Sequence, residues 1–421
     1  MNKKEKLNKI FLILLSLFVV MLGYGILLPV LPYYTERLAL NDNLDTDLIN
    51  FHIGLLTSIY PLFQLLFVVV WGKLSDKYGR KPIIIIGLVG FVIMQLLTGF
   101  ATSLTMLYAA RIFGGIFTSS VIPVSNAYLS DITSEKRRTK IMAWSGVAAS
   151  SGVIFGPVIG GFLSQTNLHY SYTYGVFHLD GFSVPFLLSA IFGIVVLGII
   201  LRWLKPSKLQ PLQLHTIGNI KSKFIVGRYF MILLLLSFVL QFAITLFETV
   251  FSIFAKNELS FKSSQVGIGF MLCGLVMAIL QPVFATYGLK ILSGKKQMTL
   301  GFLISGIALI AFPFIRATSL IYITIIVFAI GGSMVTPNLL TAVSLLSKKH
   351  TGRNISIQTS IISLGQIAGP ILGTWLIAGG FYYPFIISGV IVLTAIGLVY
   401  FLKQQNKAVD LDLLTNQDLD N

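Results

Sequence analysis

Charged residues are scarce in this chain of 421 residues, since Asp, Glu, Lys and Arg together make up 11% of it. That is about half the share usual in soluble domains, and hydrophobic residues make up 55%. A water-soluble protein could not bury so much apolar surface, whereas the acyl chains of a bilayer can cover it. The composition therefore excludes a soluble globular protein and indicates a membrane protein.

Two further absences narrow the function. Cys273 is the one cysteine, which excludes an internal disulfide and a multi-cysteine metal site. The chain also lacks the Gly-x4-Gly-Lys-Ser/Thr motif that cradles nucleotide phosphates. We therefore expect no enzymatic activity, no cofactor and no bound metal, and we expect transport to draw on an ion gradient.

Apolar stretches of about 20 residues, the length of a membrane-spanning helix, occur twelve times. Their approximate bounds are 10–32, 50–70, 83–101, 104–124, 140–163, 184–204, 227–254, 266–288, 297–315, 318–338, 355–378 and 382–402. The first is too long for the core of a signal peptide, and no small-residue cleavage site follows it. We predict that it is retained as a helix.

The formal net charge of +16 raises the question of a nucleic-acid partner. The basic residues are spread over short loops, however, and they gather in every second loop, while the loops between are acidic or poor in cations. Positive loops stay on the cytoplasmic side of a membrane. We predict a multi-pass protein of the cell membrane with both termini cytoplasmic and no nucleic-acid partner.

An internal repeat divides the chain into halves. The glycine and proline pattern of residues 152–160 recurs in residues 365–373, at an offset of 213 residues. A Gly-Gly pair at 114 and 115 recurs at 331 and 332. Chance similarity of glycine-rich helices is the alternative, and four matches at one offset argue against it. Parallel repeats are common in secondary transporters, which bind substrate between the halves near the middle of the membrane.

The repeat predicts an all-α membrane protein whose 12 transmembrane helices form two pseudo-symmetric six-helix bundles. The predicted units are an N-terminal bundle (1–204), a cytoplasmic linker (205–226), a C-terminal bundle (227–403) and a disordered cytoplasmic tail (404–421).

Both glycine runs follow a GxxxGxxxG pattern, which strips side chains from one helix stripe and lets two helices approach closely. Pro157 removes a helical hydrogen bond and allows a bend. The plain interpretation is tight packing. The functional interpretation adds a bendable seam between the two halves, formed by Gly152, Gly156, Pro157, Gly160 and Gly161.

Four segments resemble the major facilitator superfamily and, within it, the twelve-helix drug:proton antiporters. They are residues 72–82 (the loop signature after the second helix), 25–32 (the first-helix signature of drug exporters), 107–115 (the fourth-helix motif) and 152–161 (the fifth-helix antiporter motif). Residues 247–251 are similar to a segment of Gram-positive multidrug and quinolone efflux pumps. The resemblance covers the whole chain and implies the major facilitator fold and proton-coupled export. Some of those pumps have a second carboxylate in the tenth helix, where this chain has Ser333. This difference bears on the number of protons exchanged in each cycle and on the transport of cationic compounds.

Glu248 is the one acidic residue of fifteen that lies in the middle of a predicted span. An ionisable group there is costly unless it is paired or faces water. Gln241, Thr245 and Ser252 fall on the same stripe of the helix and indicate a wet face. A low dielectric favours the neutral carboxyl, so Glu248 can load and release a proton as access alternates. The alternative is a protonated glutamic acid that only donates a hydrogen bond between helices.

Arg111, in the fourth span, is the matching cation and keeps its proton at all ordinary pH values. Snorkelling to the outer headgroups is one interpretation. The resemblance implies a role in proton coupling, which we favour.

The loop signature holds charges that can form a gate. Asp76 can pair with Arg80 or Lys81, and Gly72 and Gly79 permit a tight connection. Charged hydrogen bonds at the cytoplasmic end can hold one conformation and break in the other. The resemblance implies this gating role, and the alternative is that the cations only orient the loop.

Asp131 and Arg138 flank the next cytoplasmic loop and resemble a common pair of the superfamily. The alternative is a solvated loop salt bridge.

The predicted substrate cavity is aromatic. Phe247, Phe251 and Phe254 recur at helical spacing beside Glu248, and aromatic walls with few fixed polar groups suit varied lipophilic compounds. The alternative is that these rings face lipid. The further residues expected to line the cavity, by resemblance or by the polar stripe, are Tyr24, Tyr60, Gln64, Phe117, Asn126 and Gln241.

The function that the sequence favours is proton-coupled export of small lipophilic or cationic compounds, that is, multidrug efflux by alternating access. The alternatives are a dedicated exporter of one metabolite such as a metallophore, an uptake permease or uniporter, and a membrane sensor that transports nothing. The expected partners are a small-molecule substrate, protons and the lipid bilayer, and we expect a monomer.

Overall fold

The structure is a computed structural model that describes residues 3–39, 44–133, 135–164, 172–174, 177–204, 227–288, 291–346 and 351–402. Twelve helices in these residues are long and apolar enough to cross a membrane, which confirms the predicted number. The chain is therefore a multi-pass membrane protein. The predicted linker (205–226) and tail (404–421) lie outside the described residues, and the boundaries of the predicted units stay predictions.

The helices are joined by short connections. In chain order the elements are α1 (Lys3–Ala39), α2 (Thr46–Tyr78), α3 (Arg80–Gly99), α4 (Leu104–Thr118), α5 (Val121–Ile132), α6 (Glu135–Leu163), β1 (Tyr172–Tyr174), β2 (Phe177–Leu179), α7 (Ser183–Trp203), α8 (Arg228–Asn257), α9 (Ser263–Val283) with a π-helical turn (Phe284–Gly288), α10 (Gly294–Ala311) with a 3-10 turn (Phe312–Phe314), α11 (Thr318–Leu345), α12 (Thr351–Ile377) and α13 (Tyr382–Phe401). The strands β1 and β2, between α6 and α7, pair antiparallel, with Tyr172 opposite Leu179.

The fourth span is broken, although the sequence analysis predicted one continuous stretch. It consists of α4 and α5, which meet at Ser119 and Ser120. Pro123 explains the break because it lacks a backbone N–H and its ring clashes with the carbonyl of Ser119, four residues earlier. The two serine hydroxyls donate to carbonyls of the preceding turn at 2.7 and 2.8 Å, which satisfies polar groups at the break locally.

The helix contacts of the first half recur in the second. α1 lies on α6 and α3 lies on α4 and α7, while α8 lies on α12 and α10 lies on α11 and α13. Between the halves, α6 contacts α9 and α12 contacts α2. The two contacts are equivalent, because α6 and α12 hold the same position in their halves, as do α9 and α2. The described helices thus form two six-helix bundles related by a pseudo-two-fold axis, as the repeat predicts.

The repeated glycines bring two helix pairs into backbone contact. A Cβ on Gly156 would lie 2.5 Å from a carbonyl oxygen of α1, and one on Gly369 would lie 2.7 Å from a carbonyl oxygen of α8. The glycine runs are therefore packing faces within one half each. The prediction of a seam between the halves is wrong for Gly152, Gly156 and Gly160, because this face of α6 is covered by α1 of the same half.

Gly161 turns to the other half instead. A Cβ on Gly161 would lie 2.5 Å from the carbonyl oxygen of Ser263 in α9. The hydroxyl of Ser263 donates to the carbonyl of Gly161 at 3.0 Å. The carbonyl of Pro157 also faces α9, against Gly267. The helix α6 therefore packs on its own half with one face and on the opposite half with the next.

Candidate transport site

Glu248 lies about two thirds of the way along α8, where this helix approaches the first half. A small cavity beside it is lined from the first half by Leu28, Leu31 and Pro32 of α1 and by Ile53 and Thr57 of α2. The Glu248 side chain is partly buried. Across the described part of the chain, no residue forms an ion pair or hydrogen bond with its carboxyl group. A carboxyl group without a partner therefore lies between the two halves.

The polar stripe predicted around Glu248 divides between two contacts. The hydroxyl of Thr245 donates to the carbonyl of Gly365 in α12 at 3.2 Å, a contact within the second half. The hydroxyl of Ser252 donates to the carbonyl of Leu28 in α1 at 3.2 Å, a contact between the halves. Glu248 lies on the stripe between these two positions.

Arg111 of α4 lies in the first half and is 4% exposed. Its Nε donates to the carbonyl of Leu56 in α2 at 3.0 Å, and its Cζ lies 4.6 Å from the centre of the Tyr60 ring. Its terminal amino groups have no hydrogen-bond acceptor among the residues that the structure describes. The snorkelling alternative is wrong because α2 encloses the side chain.

Two tyrosines connect the surroundings of Arg111 with those of Glu248. The Tyr60 hydroxyl lies 2.6 Å from the hydroxyl of Thr118, and the Tyr60 ring centre lies 6.2 Å from that of Tyr24 in α1. Tyr24 is within electrostatic reach of both Arg111 and Glu248. Arg111, Tyr60 and Tyr24 therefore form a chain of contacts across α4, α2 and α1 of the first half.

Phe247 and Phe251 are core residues of the second half, with 2% and 0% of their surface exposed. The Phe247 ring centre lies 4.7 Å from that of Phe328 and 5.2 Å from that of Phe312. Phe251 stacks on Phe247 at 5.5 Å. Contrary to the prediction, these rings do not line a cavity in this structure, because α8 turns them into its own bundle.

The other predicted cavity residues have mixed surroundings. The Phe117 ring packs inside the first half against Phe113, with centres 4.4 Å apart. Asn126 is partly buried, and its Oδ1 has no partner among the described residues. Gln64 and Gln241 are partly buried, and the Cβ of Gln241 would lie 3.1 Å from a Cβ built on Gly365 of α12. Of this predicted set, Tyr60 contacts Arg111 and Tyr24 contacts Tyr60.

The predicted gating cluster centres on Arg80, the first residue of α3. Its guanidinium pairs with Asp76 of α2 and, at 3.1 Å, with Asp131 of α5. It also donates to the hydroxyl of Ser75 at 2.7 Å. Asp131 therefore pairs with Arg80, which the sequence analysis did not predict, and the side chain of Arg138 lies outside the described residues.

Of the two glycines of the loop signature, Gly79 lies in the tight connection between α2 and α3, whereas Gly72 does not. Gly79 ends α2 with a φ of 94°, a conformation that glycine adopts without strain. Gly72 lies inside α2, which continues to Tyr78, and a Cβ there would meet nothing within 4 Å. The prediction that Gly72 belongs to a tight connection is therefore wrong. Lys81 donates to the carbonyl of Leu201 in α7 at 3.2 Å instead of pairing with Asp76.

Contacts between the halves gather towards the end of the molecule where α1 ends. Lys256 of α8 forms an ion pair with Glu36 of α1. The hydroxyl of Tyr33 donates to the carbonyl of Phe261 at 2.5 Å. Further contacts join Ser164 to Ser263 at 2.7 Å and Ser58 to the carbonyl of Ile367 at 2.7 Å.

Towards the opposite end, the same helix faces become accessible. The face of α2 that carries Ser58 continues with Leu62 and Val69, which are 38% and 61% exposed. The face of α12 that carries Ile367 continues with Ser360 and Ser356, which are both exposed. At this end α2 therefore presents an accessible apolar wall and α12 an accessible hydroxyl wall.

The sequence analysis did not identify the hydroxyl wall. Its signal was present as the spacing of Ser356, Ser360 and Ser363 along one face of α12.

The comparisons with known proteins agree with this architecture. Residues 13–226 and 233–412 match the family model described as Major Facilitator Superfamily. Multidrug resistance protein 2 of Bacillus subtilis (strain 168) is 27% identical over 96% of this chain and 98% of the relative. Quinolone resistance protein NorA of Staphylococcus aureus (strain Mu50 / ATCC 700699) is 25% identical over 87% and 89%. A bacterial homologue of the human lysosomal transporter Spinster, solved in an inward-facing and unoccupied conformation, is 16% identical over 96% of this chain and 98% of that chain, with a TM-score of 0.81. The last comparison bears on the fold alone.

Proposed function

Because the chain belongs to the Major Facilitator Superfamily, a family of transporters rather than enzymes, we propose that it exports small lipophilic compounds in exchange for protons. Relatives named for multidrug and quinolone resistance support this direction of transport. The proposed location is the cell membrane, with both termini in the cytoplasm, because the cation-rich loops lie on one side. Each chain has its own space between the halves, so the proposed working unit is a monomer.

The observation that carries the proposal is the position of Glu248. A carboxyl group in the middle of a span is a functional site by default. Its described surroundings come from both halves, and the hydroxyls among them, those of Thr57, Thr249 and Ser252, donate to backbone carbonyls rather than to the carboxyl group. Separation of α8 from α1 would change those surroundings and hence the protonation of the carboxyl group. Glu248 is therefore the proposed proton carrier.

Alternating access supplies the coupling. The structure has contacts between the halves towards one end and accessible helix faces towards the other, which corresponds to an inward-facing state in the proposed orientation. In the outward-facing state the pair Glu36–Lys256 would separate and the cytoplasmic end would close. The proposed gate at that end is the cluster of Asp76, Arg80 and Asp131, which joins three helices of the first half.

The role of Arg111 follows from its place beside Tyr60 and Tyr24. Its positive charge lies 4.6 Å from the Tyr60 ring, which in turn lies 6.2 Å from the Tyr24 ring of α1. Protonation of Glu248 therefore changes the net charge of the space between the halves. In the proposed cycle Arg111 makes that space sensitive to the proton, which is a role in coupling.

The test is efflux of ethidium from cells that express the protein, with and without a protonophore. Wild type should show efflux that the protonophore abolishes, and Glu248→Gln should lose it because the amide cannot exchange a proton. The matched control is Glu258→Gln, since Glu258 follows the same helix but is exposed and pairs with Arg316 at 3.3 Å. This control should keep its efflux.

Two outcomes contradict the proposal. Full protonophore-sensitive efflux by Glu248→Gln would remove Glu248 as the proton carrier. No efflux by well-expressed wild type would contradict multidrug export and favour a dedicated metabolite exporter or an uptake permease.

A further inference from the structure

A groove on the outer surface of the first half lies apart from the space between the halves. It has a volume of about 800 Å³ and is lined by the start of α1, the start of α6 and the end of α7. The helices α6 and α7 both lie against α1 and contact each other little. A gap therefore remains between α6 and α7, with Trp144 on one side and Trp203 on the other. A volume of this size is enough for a drug-sized molecule.

The side of α6 that borders the groove faces the bilayer. Trp144 lies on the same stripe of the helix as Phe155 and Phe162, about three and five turns further along. All three side chains are more than half exposed. The face of α6 that meets the second half is a different one and carries Gly161. In a chain that crosses a membrane, an exposed stripe of large apolar side chains faces acyl chains, so the groove is open to lipid.

The groove lies at the level of the headgroups on one side of the membrane. The apolar spans begin at Leu7 in α1 and at Ile141 in α6, and α7 ends at Trp203. These helix ends adjoin cation-rich loops, which are cytoplasmic in the proposed orientation. Indole rings such as those of Trp144 and Trp203 favour this level of a bilayer. The groove therefore extends from the headgroups into the acyl chains of the cytoplasmic leaflet.

Two cations lie where a lipid headgroup would sit. Lys9 is one of the residues that line the groove, and Arg202 is exposed beside Trp203 at the end of α7. A lysine can lay its apolar stem along such a wall while its ammonium group reaches the headgroups. The sequence ahead of the groove is also basic, with three lysines in residues 3–6. Basic pockets between transmembrane helices on the cytoplasmic side suit anionic headgroups.

The apolar walls alone would not select one lipid over another. Acyl chains are as apolar as leucine, so a lipid gains little when its tails leave other tails for the groove. Selection must therefore come from the charges. Lys9 and Arg202 attract a phosphate group, and they repel the ammonium group of a zwitterionic headgroup. A headgroup with a net negative charge fits this arrangement best.

We propose that the groove between α6 and α7 binds an anionic phospholipid of the cytoplasmic leaflet, whose phosphate pairs with Lys9 and Arg202 and whose acyl chains lie between Trp144 and Trp203. The bound lipid fills the gap between α6 and α7 and joins both helices to the start of α1. The inference goes beyond the proposed transport and does not depend on it, because it needs only a chain that spans a membrane.

The fluorescence of Trp144 can report which lipid occupies the groove. The full chain, with Trp71, Trp203 and Trp375 each replaced by Phe, is reconstituted in phosphatidylcholine vesicles. A small fraction of the lipid carries brominated acyl chains, which quench an indole ring on contact, and has either a phosphatidylglycerol or a phosphatidylcholine headgroup. Brominated phosphatidylglycerol should quench Trp144 as if it were enriched about five- to thirtyfold over its share of the bilayer, since each nearby cation favours an anionic lipid about fivefold.

Variants locate the headgroup. In the same background, Lys9→Gln and Arg202→Gln should each lower the enrichment about fivefold. Lys296→Gln is the matched control, because Lys296 is an exposed cation at the same end of the second half, and it should leave the enrichment at Trp144 unchanged. A second protein that keeps only Trp375, which is 64% exposed near the opposite end of α12, should be quenched equally by the two brominated lipids.

A measurement on wild type needs no substitution and holds if the variants do not fold. Native mass spectrometry of the purified chain, after equal amounts of phosphatidylglycerol and phosphatidylcholine are added, should show phosphatidylglycerol as the lipid that is retained.

Three outcomes would overturn the proposal. Equal quenching of Trp144 by the two brominated lipids, or equal retention of the two lipids by wild type, would mean that ordinary bilayer lipid fills the groove. Quenching by neither lipid would mean that another part of the chain or a second copy covers it. Undiminished enrichment in the double variant of Lys9→Gln with Arg202→Gln would remove these cations as partners of the headgroup. Each of these outcomes leaves the proposed transport untouched, because that is tested by ethidium efflux.

Discussion

The two bundles pair their helices alike but stabilise corresponding joints differently. At the end where α1 begins, α3 and α5 are joined by the ion pair of Arg80 and Asp131 at 3.1 Å. In the second half, α10 and α11 are joined by neutral amides, with Asn338 donating to Gln297 at 3.0 Å. The backbone contacts at Gly156 and Gly369, in contrast, are nearly the same.

The interiors of the halves also differ. The second half fills its core with an aromatic cluster around Phe247, and its mid-span charge is Glu248. The first half has Arg111 at mid-span, held by a backbone carbonyl and a tyrosine ring. The difference teaches that the repeated small residues determine the fold, whereas residues that are not repeated give each half its chemistry.

The largest loss of stability is expected from substitutions at the glycines that recur in both halves. Gly156→Leu and Gly369→Leu should each prevent stable folding, because the new side chain would meet helix backbone rather than a movable side chain. The loss should exceed the about 1–3 kcal/mol that is typical of overpacking. The measurement is the yield and thermal midpoint of purified protein. Gly198→Leu is the control, since a Cβ there meets nothing within 4 Å. A large difference between the first two variants would contradict the equivalence of the halves.

The second largest loss of stability is expected in the aromatic cluster around Phe247. Phe247→Ala should lower the free energy of unfolding by about 3–5 kcal/mol, because it leaves a cavity among packed rings. Phe162→Ala, at a position that is 54% exposed, should change it little. Thermal midpoints and dye transport are measured together. Unchanged stability with an altered dye preference would show that Phe247 lines the substrate cavity after all.

Loss of the ion pair between Arg80 and Asp131 should destabilise the protein less than loss of the aromatic packing. Arg80→Gln should cost about 1–3 kcal/mol, because Asp131 loses its described partner. The double variant Arg80→Gln with Asp131→Asn recreates the neutral amide joint of the second half and should recover part of this loss. Denaturation of the three proteins tests the comparison. A double variant no more stable than Arg80→Gln would contradict it.

The smallest effect is expected from the ion pair between the halves. Lys256→Gln should remove at most about 1 kcal/mol, because Glu36 is 44% exposed. The measurement for this variant is therefore the distance between the two halves at the outer end. Spin labels at Thr46 and Ala378, in a background with Cys273→Ser, should report more molecules with an open outer end. The swap of Glu36→Lys with Lys256→Glu should reverse the change, whereas Arg316→Gln, which breaks a pair within the second half, should leave the distances as they are.

Much of the fold could be predicted from the sequence because its signals are local. Apolar runs of spanning length give the twelve helices, and equal spacing of Gly156 and Gly369 within their halves gives the repeat. The same local reasoning located Glu248, since a carboxylate inside an apolar run stands out whatever surrounds it.

Other features depend on contacts that spacing does not encode. The spacing of Phe247 and Phe251 marks a helix face, but whether it meets the cavity, lipid or the core depends on how α8 is rotated in its bundle. The pair of Arg80 and Asp131 joins residues 51 positions apart and exists only once α3 packs on α5. The burial of Arg111 likewise depends on how α2 and Tyr60 surround it.

The most direct test of the account measures protons released when substrate binds. Purified protein in a weakly buffered solution is mixed with ethidium, and a pH electrode records the change in pH while fluorescence anisotropy records binding of the dye. Wild type should release protons on binding, whereas Glu248→Gln should bind the dye and release none. Equal proton release by both proteins would contradict the assignment of Glu248 as the site where substrate and proton exchange.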